Sequence, residues 1–468
     1  MSQTAPKFRF VDLFAGIGGF HAALKSYGGE CVYAVEIDKE AAQTYARNWG
    51  HNPYGDITAD ANDDVMNVPE HDILCAGFPC QPFSKSGAQH GMEEARGTLF
   101  WNIARIIQVR KPKIVMLENV RNLAGPRHIH EWQIIIETLR DEGYRVAEKS
   151  AVFSPHLLPP EYGGRPQARE RVFITATLIP ESFETDPRLE FEPDPLTLPG
   201  TDWDPREGWD IEDFLDDAHN IPGCNLTEAE RLWIDAWDEF VQVMWEEREG
   251  RRLPGFPLWA DSWLDVRDAW KRDKSRVPDE PRIPTIDPTL PSWKRSHLIK
   301  NYEFFGAHHR VIRAWAEKWG LYTDSFPASR RKLEWQAQET PRLWDTVMHF
   351  RPSGIRAKAP TYLPALVAIT QTSIVGPRER RVSPRETARL QGLPDTFDFG
   401  GQRPAATYKQ MGNGVNVGVV WNVLREHVRR DAWLLKGHGA IGESIREAVL
   451  DVAPRSPDGI LKEHQPTG

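Results

Sequence analysis

The stretch Gly77-Phe78-Pro79-Cys80-Gln81-Pro82-Phe83-Ser84 puts a thiol directly behind an apolar run, Asp72-Ile73-Leu74-Cys75-Ala76, where a buried strand would hand over to a loop. A cysteine in such a place is most often a small inert hydrophobe. The neighbours of Cys80 favour a presented nucleophile. Pro79 fixes the approach of the chain, Gln81-Pro82 blocks a simple continuation of strand or helix, and Ser84, Ser86 and Gly87 make a polar loop. A second strand-like run ends in Glu118-Asn119-Val120. A carboxylate on the same edge of a parallel sheet would face the thiol, and a raised pKa there would let it donate a proton. In Gln167-Ala168-Arg169-Glu170-Arg171, alternation along a strand-like run would point Gln167, Arg169 and Arg171 to one face, as a clamp for an anion and a base edge.

A third group has the chemistry of a nucleoside crevice. The run Phe14-Ala15-Gly16-Ile17-Gly18-Gly19 follows a strand-like segment and opens a helix, so its glycines let a ligand approach backbone N–H groups closely. Its spacing differs from GxGxxG, and a glycine turn alone is often only packing. At the next strand ends, Glu36 (followed by Ile37) suits a ribose, and Asp56 (followed by Ile57) suits an adenine amino group.

These residues need a parallel sheet to bring them to one edge. Apolar runs Phe10 to Phe14, Val32 to Glu36, Ile73 to Gly77, Ile114 to Glu118 and Val172 to Ala176 alternate with helix-like stretches, which predicts βαβ units. After about Ile179 a Pro/Asp/Glu-rich run to about Asn220 reads as loop or solvated insert. Thr227 and Glu230 then form a capping-box pattern before an apolar stripe of Trp233, Trp237, Phe240 and Met244, which reads as packing. From Trp293 to Lys332 basic and aromatic residues interleave, Arg330 and Arg331 among them.

Composition narrows the classes. With 468 residues the chain supports two or three lobes, and 40% hydrophobic with 27% charged residues fits a water-soluble globular protein. No leader pattern and no long apolar run is present, so the expected location is the cytoplasm. Four cysteines without CxxC spacing indicate neither a disulfide framework nor a metal site. A net charge of −9 argues against coating a polyanion with the whole surface and leaves room for a local basic groove.

Taken together, "FAGIGG", "GFPCQPFS", "ENV", "QARER", "RETARLQGLP" and "GNGVNV" resemble, in order and approximate spacing, the DNA (cytosine-5)-methyltransferases of bacterial restriction-modification type. The resemblance covers about residues 8 to 176 and 380 to 430. It implies a doubly wound, mostly parallel α/β sheet, the class I methyltransferase fold, with a second, smaller target-recognition domain. The implied boundaries are 1–176 and 376–435 for the catalytic domain, 177–375 for recognition and 436–468 for a tail. S-adenosylmethionine is the implied cofactor, held by Phe14, Ala15, Gly16, Gly18, Gly19, Glu36, Ile37, Asp56, Ile57 and Pro79, with Asn413, Gly414 and Val415 closing the pocket. Cys80 is the implied nucleophile, with Glu118, Arg169 and Arg171 as catalytic partners. Gln81, Ser84, Gln167, Arg330 and Arg331 are expected at the DNA, and the loop Gln81 to Gly97 as a lid.

The implied substrate is a cytosine flipped from double-stranded DNA, the implied state a monomer associated with the nucleoid through DNA, and a cognate restriction endonuclease a potential partner. An amino-methyltransferase is not indicated, because Asn52-Pro53-Tyr54 and Pro159-Pro160-Glu161-Tyr162 both miss the required Pro-Pro-aromatic loop. A tRNA cytosine-5 enzyme and an inactive DNA-binding relic are the remaining alternatives. The first usually lacks so large an insert, and the second would have lost Cys80 or Glu118.

Overall fold

In the computed structural model the alternating apolar runs form a seven-stranded sheet. The structure describes residues 6–79, 98–200, 202–272, 283–337, 339–367 and 372–451. Two compact units emerge, one of residues 1–209, 364–370 and 384–468 and one of residues 210–363 and 371–383. The boundary therefore falls at 209/210 rather than at 176/177, and residues 376–383 belong to the second unit.

In the first unit the strands are β1 (Phe8–Leu13), β2 (Gly29–Val35), β3 (Ile73–Gly77), β4 (Ile114–Val120), β5 (Tyr144–Val146), β6 (Ala151–Phe153), β7 (Gln167–Ala168) and β8 (Arg171–Leu178). The sheet order is β2-β1-β3-β4-β8-β5, with β6 also on β8. Pairing is parallel from β2 to β4 and antiparallel around β8. Because β1 sends the chain outward to β2 and the next strand returns on its other side, the order reverses at β1. Its carboxyl end is a switch point, where open α/β sheets leave a crevice.

Both faces of the sheet are covered. Val11, Leu13, Leu74 and Val115 pack with Phe100, Ile103, Ile106, Ile135 and Leu139 of the helices Leu99–Arg110 and Ile129–Asp141. Burying each such side chain contributes about 1.5–3 kcal/mol. Helix α1 (Gly19–Ser26) meets the C-terminal helix Val417–Arg430, where Tyr27 stacks on Trp421 with centroids 4.9 Å apart and donates to the Trp421 carbonyl. The end of the chain thus completes the first unit. The expected tail is corrected in part: Gly439–Leu450 is a helix packed on Val417–Arg430, with Ile445 and Val449 buried.

The second unit has its own core. Thr227 and Glu230 form the capping box at the start of Glu228–Glu247, satisfying two orphan N–H groups. Trp237, Phe240 and Met244 of that helix are fully buried with Trp263 and Trp315. Two of these indoles donate to carbonyls, Trp237 to that of Arg330 (2.8 Å) and Trp315 to that of Ala236 (2.7 Å). This core backs a six-stranded sheet whose order is Arg380–Arg381, Ile374–Val375, Val347–Arg351, Gly354–Lys358, Lys332–Gln336, Leu258–Trp259. Among the described residues no helix is long and apolar enough to cross a membrane, and no His/Cys/Asp/Glu cluster could hold a metal ion.

Candidate active site

At the carboxyl ends of β1, β3 and β4 a cavity is lined by Phe14, Ala15, Gly16, Gly19, Gly77 and Glu118, and by Asn413, Gly414 and Val415 from far along the chain. The lining loop is held in an uncommon shape. Phe14 and Gly16 both lie at φ +56 and Gly18 at φ +92, in the left-handed region that non-glycine residues seldom enter. A Cβ on Gly19 would stand 2.7 Å from Val415 Cγ1, so the two distant motifs meet only because residue 19 is glycine. Glu36 ties the turn down, its two oxygens accepting from Gly16 N (2.8 Å) and Asp38 N (2.7 Å). Burial pushes its pKa up, partly offset by those two N–H groups.

Not every expected cofactor residue lines this cavity. Ile37 is 69% exposed just beyond β2, and Pro79 is exposed after β3. Asp56 caps the turn Ile57–Asp60 through Thr58 N (2.9 Å). The expectation for Ile57 is corrected: it is buried in the core with Val35 and Ala61, because the turn that Asp56 caps aims it inward. Ile17 of the glycine run also lines the cavity, as do Phe20, Gln391, Leu393, Gln410 and Met411, to which no sequence reading gave a role.

Glu118 occupies the end of β4, opposite Gly77 of β3. Its Oε1 lies 3.0 Å from Arg171 Nε, and its side chain is 11% exposed. Desolvation raises its pKa; Arg171 and Arg169 pull the other way without reversing it. The adjoining Asn119, quoted in the motif but given no role, donates to the Phe78 carbonyl (2.8 Å) and so anchors the turn leading to Pro79-Cys80. Cys80, Gln81, Ser84 and the loop to Gly97 lie outside the described residues.

The Gln-x-Arg-x-Arg run does not act as one strand face. β7 ends at Ala168 and β8 starts at Arg171, so the alternation is broken. Gln167 is fully buried, donating to the Leu390 carbonyl (3.0 Å) and accepting from Leu366 N, which removes it from DNA contact. Arg169, also buried, donates to the carbonyls of Leu366 (3.0 Å), Gly412 (2.8 Å) and Gly414 (2.7 Å). It holds the loop that lines the cavity instead of a phosphate. Arg171 alone reaches the acid.

Arg330 and Arg331 are likewise engaged inside the second unit. Arg330 sits 4.5 Å over Phe350 and donates to the Arg351 carbonyl, and Arg331 pairs with Asp261 at 3.2 Å. Both side chains are thus held by partners within the second unit, with that of Arg331 still 21% exposed.

Comparison with known proteins decides the family: the model of the C-5 cytosine-specific DNA methylases matches residues 8–429. The chain belongs to that family. It is 56% identical to the type II methyltransferase M.AluI of Cellulosimicrobium cellulans, over 98% of this chain and 99% of that protein. It is 47% identical to the type II methyltransferase M.HhaI of Haemophilus parahaemolyticus, over 36% of this chain and 48% of that protein. Against the type II methyltransferase M.HgiBI of Herpetosiphon aurantiacus the identity is 28%, over 87% and 94%. This member of the C-5 cytosine methylases is a DNA cytosine-5 methyltransferase, and the tRNA and relic readings are not favoured.

Proposed function

We propose that the chain takes a methyl group from S-adenosylmethionine to C5 of a cytosine flipped out of a specific double-stranded DNA sequence, with Cys80 as nucleophile. The single observation that carries this reading is the convergence of Glu118, which Arg171 contacts from outside the lining, and the glycine turn on one cavity at the switch point. The residues present fit the cofactor. The left-handed turn leaves open space at Gly16 that an added side chain would fill, and Glu36 provides a carboxylate beside it. When bound, the cofactor supplies an electrophilic methyl group. Asn413, Gly414 and Val415 wall the same space, and Arg169 fixes two carbonyls of residues 412–414.

Cytosine C5 is a weak nucleophile. Addition of the Cys80 thiolate to C6 makes the ring enamine-like, while Glu118, whose pKa burial raises, gives a proton to N3. Arg171 steadies both the acid and the base's carbonyl oxygen. C5 then takes the methyl group, the C5 proton leaves, the C6–S bond breaks and N3 returns its proton. Flipping costs a few kcal/mol, recovered from contacts to the extruded base. The type II designation of the relatives supports a cognate restriction endonuclease that cuts the same sequence when unmethylated.

DNA carrying 5-fluorocytosine at the target tests the mechanism. Fluorine stands where the departing proton should be, so elimination stops and the protein–DNA complex survives denaturing electrophoresis. Trapping should require S-adenosylmethionine and vanish in Cys80→Ser, whose hydroxyl stays protonated near neutrality. Cys75, fully buried in β3, is the control: Cys75→Ser should lose some stability and still trap. Trapping that survives Cys80→Ser would overturn the assignment.

A further inference from the structure

The three central strands of the second unit's sheet present an asymmetric surface. Leu333, Trp335, Met348, Phe350, Ile355 and Ala357 point into the core. By alternation, Lys332, Glu334 and Gln336, His349 and Arg351, and Arg356 and Lys358 share the opposite face. The register places Arg356 between Glu334 and His349. Four cations stand there against Glu334, the sole carboxylate on these strands, in a chain of net charge −9. Glu334 is shared, one oxygen contacting Arg351 and the other lying 2.8 Å from Arg356. No carboxylate among the described residues lies within ion-pair reach of Lys332 or Lys358. The surplus is felt locally: burial first, then the guanidinium groups, lower the pKa of Lys358 and of His349.

A face that packed only against protein would neutralise such charge. A duplex offers the complementary partner, one negative charge per ~1.7 Å of axis. A guanidinium clamped by a carboxylate is also fixed in orientation, which suits hydrogen bonding to a guanine edge better than it suits a freely tumbling phosphate contact. We propose that this sheet face receives duplex DNA, with Lys332 and Lys358 against backbone phosphates and Arg351 and Arg356, steered by Glu334, presenting N–H groups to base edges. The inference rests on the DNA methyltransferase reading and gives it a recognition surface.

Bisulfite sequencing of DNA from expressing cells first maps the modified sequence. Fluorescence anisotropy then compares a duplex bearing that sequence with a scrambled duplex of the same composition, over a salt series. Lys332→Ala with Lys358→Ala should weaken both duplexes alike and flatten the salt slope by about 0.9 per lost phosphate contact. Arg356→Ala should lower the ratio of specific to scrambled affinity roughly 5- to 150-fold. Glu334→Gln preserves shape but frees both guanidinium groups, so the ratio should fall there too. Circular dichroism and calorimetric binding of S-adenosylmethionine identify any variant that simply fails to fold. An unchanged salt slope with an unchanged ratio in Arg356→Ala and Glu334→Gln overturns the inference, as does preferential binding of structured RNA. If the wild type methylates cytosine C5 while the variants bind like it, this surface alone is wrong. A wild type without C5 methylation removes the reading beneath it.

Discussion

Arg171 Nε and Glu118 Oε1 stand 3.0 Å apart on antiparallel neighbours, Arg171 paired with Val120 and Glu118 with Phe173. The pair is diagonal across the ladder, so the guanidinium reaches the acid from the side and leaves the cavity face of Glu118 open. Glu118→Gln keeps an acceptor for Arg171 and loses the transferable proton. Its turnover should fall by roughly 10²–10⁴ while cofactor affinity measured by calorimetry stays the same. Stability supplies a second readout. Burial raises the folded pKa, so this contribution is fully present below the unfolded value near ~4.3 and is lost as pH rises through the folded one. Urea unfolding at stepped pH should therefore show the wild type losing ground to Glu118→Gln as pH rises above the ordinary carboxylate range.

Arg169 acts by positioning. In Arg169→Lys a single ammonium cannot span the carbonyls of Leu366, Gly412 and Gly414, so buried acceptors are left unpaired at about 1–3 kcal/mol each. Thermal unfolding should shift down, and calorimetry should show S-adenosylmethionine bound about tenfold more weakly, although Arg169 does not line the cavity. Unaltered cofactor affinity in a destabilised variant would reduce Arg169 to a purely structural role.

Glu36→Ala removes both the carboxylate and the tether on Gly16. The dissociation constant for S-adenosylmethionine should rise roughly 10- to 100-fold. Glu36→Gln, which keeps one acceptor for Gly16 N, should fall between the two. Equal affinities for all three proteins would take Glu36 out of the cofactor site.

Arg330→Ala loses the contact with Phe350 and the bond to the Arg351 carbonyl, at a cost of about 1–3 kcal/mol. The expected result is a lower unfolding midpoint with an unchanged salt slope for DNA binding. A flatter salt slope at full stability would return Arg330 to the DNA surface.

Local patterns in the sequence determined the site's ends. The run Ile73–Gly77 is a strand with those bounds because Pro79 stops it, and Thr227 with Glu230 starts a helix because both signals lie within one turn. The glycine turn and Glu118 were legible for the same reason: each is a property of a few consecutive residues. The loop lining the cavity from residues 413–415 was legible only through its motif, since nothing local says where the chain's end returns. Tertiary structure decided the rest. Alternation assigns a face only while a strand continues, and the break between Ala168 and Arg171 separated three residues that a uniform strand would have aligned. Whether an arginine meets solvent, an acid or a carbonyl depends on partners far along the chain, as with Arg169 and Gly414, 245 positions apart. Arg330 and Arg331 found their partners in the same way, at Phe350, the Arg351 carbonyl and Asp261. A cation's charge is written in the sequence, whereas its use is fixed by which acceptors the fold brings within about 3 Å.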